Sequence, residues 1–298
     1  MKKMFLRFCV VMCAIALSGF VFYSCSDDDE KPGDEPGDGK VDPSTIAASN
    51  LVAYFPFDGN GNDAIGHAVS PKNVSASDFI QGRRGQAYQG KVGSGFIYTL
   101  PAGDKIAKAK GLTFAMWLKT PAPEAGSPVL CQINGTTGDW DMPGSFTLQF
   151  QDATQLVDSV GFKMYLFNTA TEWKGQWSDL FSTPNFPSNS WFHFVAMYDE
   201  STSSYKAYSN GNLVYTEVRY GGPEPDEGGA QPLLGNMVLP TDANKLYVGA
   251  WWKLLEGEPA DDWAQYYVGL LDELRIYDKG LTNEEVKALF DAEVTQLQ

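Results

Sequence analysis

From residue 51 onward, one short apolar run follows another, each closed by Gly, Pro, Asn or Asp. Residues 145–151 (SFTLQFQ) alternate cleanly between apolar and polar, which puts one set of side chains on one face of a strand. The same patterning, rich in β-branched and aromatic residues, predicts strands at 51–57, 96–100, 112–119, 129–133, 161–167, 191–198, 205–209, 213–218, 245–251 and 268–277. Two packed antiparallel sheets are the natural way to bury so many half-apolar strands. The period changes once. Thr282-Asn-Glu-Glu285 is a capping box, and Val286, Leu289 and Phe290 follow at helical spacing, predicting a short terminal helix packed on the sandwich.

The residues before this pattern obey a different rule. Lys2, Lys3 and Arg7 precede an apolar run over 8–23, and Ser24-Cys25 follow. A positive start, an apolar middle and a small residue at its end predict a signal peptide over 1–24. The run is shorter than the ~20 residues that span a bilayer as a helix. Its end resembles a bacterial lipoprotein signal, which implies that Cys25 becomes the acylated first residue and anchors the protein to a membrane. The acidic stretch Ser26-Asp-Asp-Asp-Glu30 is similar to the surface-export signal of lipoproteins in polysaccharide-degrading Gram-negative anaerobes, implying surface exposure on the outer membrane. Residues 25–50 are rich in Asp, Glu, Gly and Pro and are expected to form a disordered, self-repelling tether. Residues 51–298 form the one expected domain.

Composition narrows the function. The chain has 298 residues, 43% of them hydrophobic, enough for a full core, with 13% aromatics, 30 Gly and 17 Pro. That mixture suits short strands and tight turns. A net charge of −15 argues against nucleic acid, whose phosphates demand a basic surface. It is compatible with Ca²⁺ or with neutral ligands such as sugars. Of four cysteines only Cys131 falls in the folded part, so the core must hold the fold without an internal disulfide. Cys131 lies in an apolar strand and is expected to be buried and inert.

Three segments, Leu51 to Asp63, Trp191 to Asp199 with Tyr208 to Val214, and Gly269 to Glu285, together resemble the laminin G-like, concanavalin A-like jelly-roll family of bacterial surface proteins. Leu51-Val-Ala-Tyr-Phe-Pro-Phe-Asp-Gly-Asn-Gly-Asn-Asp63 is similar to its opening strand and turn. Trp191-Phe-His-Phe-Val-Ala-Met-Tyr-Asp199 with Tyr208-Ser-Asn-Gly-Asn-Leu-Val214 resembles its central strand and hairpin, although Phe192 stands where the family usually has a histidine. Gly269-Leu-Leu-Asp-Glu-Leu-Arg-Ile-Tyr277, leading to Leu281-Thr-Asn-Glu-Glu285, is similar to its closing strand and helix. The resemblance spans residues 51–292 and implies an all-β, two-sheet antiparallel jelly-roll sandwich. Fold alone does not specify activity.

Three kinds of chemistry are conceivable. Asp58, Asn60, Asn62 and Asp63 put hard oxygens on one Gly-rich turn, as Ca²⁺ prefers, although the spacing is not that of an EF-hand. The resemblance implies a structural Ca²⁺ shared by Asp58, Asn60 and Asp63 with Asp272 of the closing strand. An acid amid Leu270, Leu271, Leu274 and Ile276 needs a partner if buried. The alternative is a turn held by its own side chains. For catalysis, hydrolases on related jelly rolls alternate carboxylates along one strand. Here Asp272 and Glu273 are adjacent, so in a regular strand they point to opposite faces. Asp139 and Asp141, flanking Trp140, have the right parity but no third acid. His193 is expected to have a hydrogen-bonded packing role. For sugar binding, Trp140, Trp173, Trp177, Trp252, Trp263, Tyr266 and Tyr267 lie in polar, turn-rich stretches, where rings stack on sugar faces and loops carry function.

The reading is therefore a surface-anchored, non-catalytic glycan-binding protein. The alternatives are a glycoside hydrolase with diverged carboxylates and an adhesive module that binds protein within a surface complex.

Overall fold

The structure is a computed structural model that describes residues 41–73, 77–123, 126–134, 145–151, 158–179, 181–226 and 228–296. It is the expected two-sheet sandwich. The first sheet runs in the order β14 (Asn212–Val218), β13 (Ser204–Ser209), β12 (Phe192–Asp199), β6 (Leu112–Lys119), β17 (Gly269–Tyr277), β4 (Gln86–Gly90) and β3 (Asp78–Gln81). The opening strand β1 (Leu51–Phe55) also pairs with β17. The second sheet runs β10 (Gly175–Trp177), β9 (Ser159–Phe167), β8 (Ser145–Phe150), β7 (Ser127–Asn134), β15 (Lys245–Val248), β5 (Phe96–Thr99) and β2 (Val69–Asn73). β11 (Phe181–Pro187) adds to β9, and β16 (Ala264–Gln265) adds to β7 in parallel, whereas the other pairings are antiparallel.

The alternation seen in the sequence builds the space between the sheets. Phe146, Leu148 and Phe150 of β8 point inward with Phe162, Met164 and Leu166 of β9, opposite Phe114 and Leu118 of β6 and Phe194 of β12. Phe162 stacks on Phe194 with centroids 4.1 Å apart. Each such ring contributes about 1.5–3 kcal/mol through burial. Cys131 is wholly buried and free, and burial pushes its thiol pKa up, out of reach of thiolate chemistry.

The terminal helix is present as α2 (Asn283–Thr295), below, and its capping box forms as expected: Thr282 accepts from the Glu285 amide, and Glu285 accepts from the Thr282 amide. Val286 and Leu289 pack on Val195, Met197, Tyr208 and Tyr277 of the first sheet's outer face. A second, five-residue helix, α1 (Trp252–Glu256), was not foreseen. The predicted strand at 245–251 stops at Val248, and Gly249, at φ 94°, turns the chain out of the sheet before the helix. The compact unit also begins earlier than expected, at Val41. Asp42 caps a short 3-10 turn at Pro43–Thr45 and Ile46 packs against the outer-face cluster that holds α2, so this apolar side chain draws the end of the expected tether onto the domain.

Candidate functional site

Register alone lays out the second sheet's outer face. Trp177 pairs with Tyr165, Tyr165 with Thr147, Thr147 with Gln132, Gln132 with Tyr247, and Tyr247 with Ile97. Met164 and Leu166 flank Tyr165 in the inter-sheet core, so this row points away from it. The segment carrying α1 and β16 folds over the row. Trp251, Leu254, Ala260 and Ala264 pack on Val129, Tyr165 and Phe167, while Trp252, Leu254, Leu255 and Tyr266 pack on Ile97 and Tyr247.

This covering brings together residues that lie far apart in sequence. Trp177 sits against Tyr165 at 4.7 Å between centroids, Tyr165 and Trp251 share one packed cluster, and Trp263 meets Trp251 edge-on at 4.7 Å. Trp251 is buried, and its indole N–H donates to the Ser127 carbonyl. Trp177 and Trp263 keep 41% and 42% of their surface, enough to offer a ring face to a ligand. Trp173, also exposed, lies in the turn before β10, with its amide donating to the Gly221 carbonyl at 3.0 Å. Trp252 and Tyr266 are half-buried between the covering segment and the sheet. Asp139, Trp140 and Asp141, like Cys25, lie outside the described residues.

The sequence reading missed Tyr165 and Trp251, which join the exposed rings, because both sit in strand-like runs that read as core. It also missed Gln149. That residue pairs with Val129 and Lys163 on the same face, and its Oε1 is buried without a hydrogen-bond partner. A buried unpaired acceptor is costly and invites a donor.

A cleft of about 390 Å³ opens beside this face. Its lining includes Pro121, Pro123, Pro128, Phe150, Tyr266 and Tyr267, with Thr120 and Gln265 as its polar members. Phe150 and Tyr267 are stacked nearly parallel, with centroids 5.6 Å apart and 7° between the ring planes. No carboxylate is among the described lining residues.

The acids expected to hold a metal lie at the other sheet, Asp272 on β17 and Asp58 and Asp63 in the loop after β1. Asp63 is consumed by its turn: its Oδ1 accepts from the amides of Tyr54 and Ile65, and its Oδ2 from Ala68. Asn60 likewise accepts from the Asn62 amide and donates to the Asp58 carbonyl. Those two build the turn by themselves. Asp58 and Asp272 instead flank the tight turn over residues 82–85. Asp58 accepts from the Gln86 amide at 2.7 Å, and Asp272 accepts through Oδ2 from the amides of Arg83 and Arg84 at 2.8 and 2.9 Å. A Cβ at Gly82 would stand 2.5 Å from Asp272 Oδ2, so only glycine lets the turn approach this closely. Asp272 is fully buried, and its Oδ1 has no partner. Burial, with Glu273 and Asp58 nearby, pushes its pKa up to about 8 against the pull of the two amides. Among the described residues, no three His, Cys, Asp or Glu side chains gather into a metal cage. The Asp58–Asp272 pair with an orphaned oxygen nevertheless suits a hard cation.

Asp272 and Glu273 correct one expectation. They do not take opposite faces, because the strand bulges between Asp272 and Arg275 and Glu273 adopts φ 54°. Leu271 and Leu274, three positions apart, therefore both point into the core, and the acids between them both turn outward. The bulge falls where β17 passes from β4 to β1 as its partner. Glu273 is spent on structure: it accepts from Tyr54 Oη and Arg275 at 2.8 Å and pairs with Arg84 at 3.4 Å. His193 is also corrected. It is buried against Trp117 and Phe290 as a packing residue, but neither ring nitrogen makes a hydrogen bond.

A family profile described as the concanavalin A-like lectin/glucanases superfamily, of laminin G type, matches residues 93–287. No curated protein matches the chain. Among solved structures, one of botulinum neurotoxin type C, from work on its dependence on two ganglioside molecules, superposes with a TM-score of 0.56 at 12% identity, over 86% of this chain and 53% of that one. The binding domain of botulinum neurotoxin DC with rat synaptotagmin II gives 0.54 at 13% identity, over 85% and 53%. Domain 4 of an extracellular arabinanase from Geobacillus stearothermophilus, with arabinotriose, gives 0.50 at 17% identity, over 80% and 98%. The chain thus spans about half the length of the neurotoxin structures it matches, and at these identities the likeness is one of fold.

Proposed function

The chain belongs to the concanavalin A-like lectin/glucanases superfamily, and from that membership we propose that it is a glycan-binding protein held at a bacterial outer-membrane surface by a lipid on Cys25, with no chemistry of its own. One observation carries the binding reading: Trp177 and Trp263, far apart in sequence, are exposed on one face through the bridge of Tyr165 and Trp251. Sugars stack their apolar faces on such rings and use nearby amides and hydroxyls for orientation. The described lining of the adjoining cleft offers rings, an amide and hydroxyl oxygens to a ligand. Arabinotriose and ganglioside among the distant structural neighbours support a sugar as the ligand class. The signal pattern over 1–24 and the acidic residues after Cys25 support the anchor.

A structural Ca²⁺ belongs to the same proposal. Asp58 and Asp272 would hold it, and its charge would relieve their mutual repulsion and fasten the opening turn to the closing strand. Asn60 and Asp63 would act by shaping that turn.

Retardation of the purified protein in polysaccharide gels, with released sugar measured in the same mixtures, tests the reading. Retardation without release supports it, and release of sugar overturns its non-catalytic part. Silence in both overturns it in favour of an adhesive module.

A further inference from the structure

The cleft beside the aromatic face is built differently from a site for hydroxyl-rich sugar. Its three prolines supply no backbone N–H. Its hydroxyl protons are already given away: Thr120 Oγ1 donates to the Val268 carbonyl at 3.0 Å, Tyr267 Oη to Leu270 at 2.8 Å, and Tyr266 Oη to Leu254 at 3.3 Å. A pyranose placed here would find few side-chain donors for its oxygens. What remains is apolar wall, hydroxyl oxygens that can only accept, and one primary amide. Gln265 spends one N–H on the Asp262 carbonyl at 2.8 Å, which leaves its second N–H and its oxygen. No described lining residue is charged, so the described cleft wall gives an anionic sugar no partner. An amide facing an amide, beside a wall that takes a methyl group, is the complement of an acetamido group.

We propose that this cleft takes the acetamido group of an N-acetylhexosamine unit in a neutral glycan. The inference rests on the glycan-binding reading and gives it a substrate class. A volume of about 390 Å³ accommodates the acetamido group and the ring edge that carries it, with the ring's remaining hydroxyls facing solvent. Residues 263–268 connect the two surfaces: Trp263 is exposed on the aromatic face, while Gln265, Tyr266, Tyr267 and Val268 line the cleft. A chain lying across Trp263 therefore reaches the cleft with its neighbouring unit.

The test is a glycan array carrying paired oligosaccharides with and without the acetamido group, probed with the purified protein and its variants. The expected result is a preference of about tenfold or more for the acetylated member, the size of discrimination one small group brings in an apolar pocket. Val268→Trp fills the cleft mouth from a half-exposed position and should abolish the preference while sparing binding to the unacetylated member. Gln265→Leu should reduce the preference without filling the cleft, and guards against a misfolded Val268→Trp; melting curves check both. Trp177- and Trp263-dependent binding without any acetamido preference, or a preference surviving both variants, overturns the inference and leaves the glycan reading standing. No binding to any array member overturns both.

Discussion

Arg275 of the closing strand and Glu293 of the terminal helix form an ion pair in which neither side chain is more than 2% exposed. The pair sits in a wider network. Glu293 accepts from Trp117 Nε1 at 2.7 Å, and Arg275 also holds Glu273 and lies 4.2 Å over the Tyr54 ring. The helix is thus fastened to β6, β17 and, through Tyr54, to β1. Taking such charges out of water is expensive, and the pair is favourable only while both members remain.

Glu293→Ala leaves the Arg275 charge short of a partner and strips Trp117 of its acceptor. Urea unfolding should register a loss of about 3–5 kcal/mol, whereas Lys287→Ala, on the exposed side of the same helix, should cost less than about 1 kcal/mol. Equal effects would mean that the buried network does not hold the helix.

His193 makes stability depend on pH in a predictable direction. Burial, and then the Arg275 charge, lowers its pKa to about 3. Glu293 Oε2, 3.4 Å from the imidazole, does not reverse this, because Arg275 and Trp117 already engage that carboxylate. The unfolded chain takes up a proton near pH 6.5 and the folded one does not, so the stabilisation present above 6.5 is lost as pH falls toward 3. Between pH 6.5 and 4.5 the loss should be on the order of 2–3 kcal/mol. Buried carboxylates such as Glu293, whose pKa burial raises, act in the opposite direction, so the measurement is the difference in urea midpoints between wild type and His193→Phe. The variant should lack this part of the acid sensitivity.

Trp177→Ala and Trp263→Ala should each weaken glycan retardation about tenfold or more, as loss of an aromatic anchor does, with melting temperatures nearly unchanged. Trp251→Ala should lose both binding and stability, because that ring is buried and hydrogen-bonded. Unaltered retardation in the first two would remove the aromatic face from the site.

Ca²⁺ at millimolar concentration should raise the melting temperature, and a chelator should reverse the rise. Saturation at about a hundredfold over Kd corresponds to about 2.7 kcal/mol. Asp272→Asn and Asp58→Asn should abolish the response. Asp63→Asn should keep it while melting lower, since Asp63 serves the turn amides. A response that ignores Asp272 would rule out this site.

The long alternating strands and the capped helix were legible because their patterns are local. β3 and β4 were not, since Asp78–Gln81 and Gln86–Gly90 are short, polar and near an edge, with Ala87, Tyr88 and Gly90 as their buried residues. The exposure of Trp173, Trp177 and Trp263 followed from polar neighbours. The union of Trp177 with Trp263 depended on a covering segment whose course no periodicity records. Likewise the adjacent acids Asp272 and Glu273 read as opposed until the bulge, set by two partner strands meeting along β17, turned them the same way.

The pairing of Leu51 with Tyr277 also governs how the domain comes to exist. Its first strand and its last are neighbours, so β1 lacks that partner until the domain's closing strand has been made. Contacts of such long sequence separation slow folding and postpone it until the whole domain has been made. A nascent chain stopped before β17 would be left with two open sheet edges and a half-exposed core, and would be a substrate for proteases rather than a shorter version of the fold.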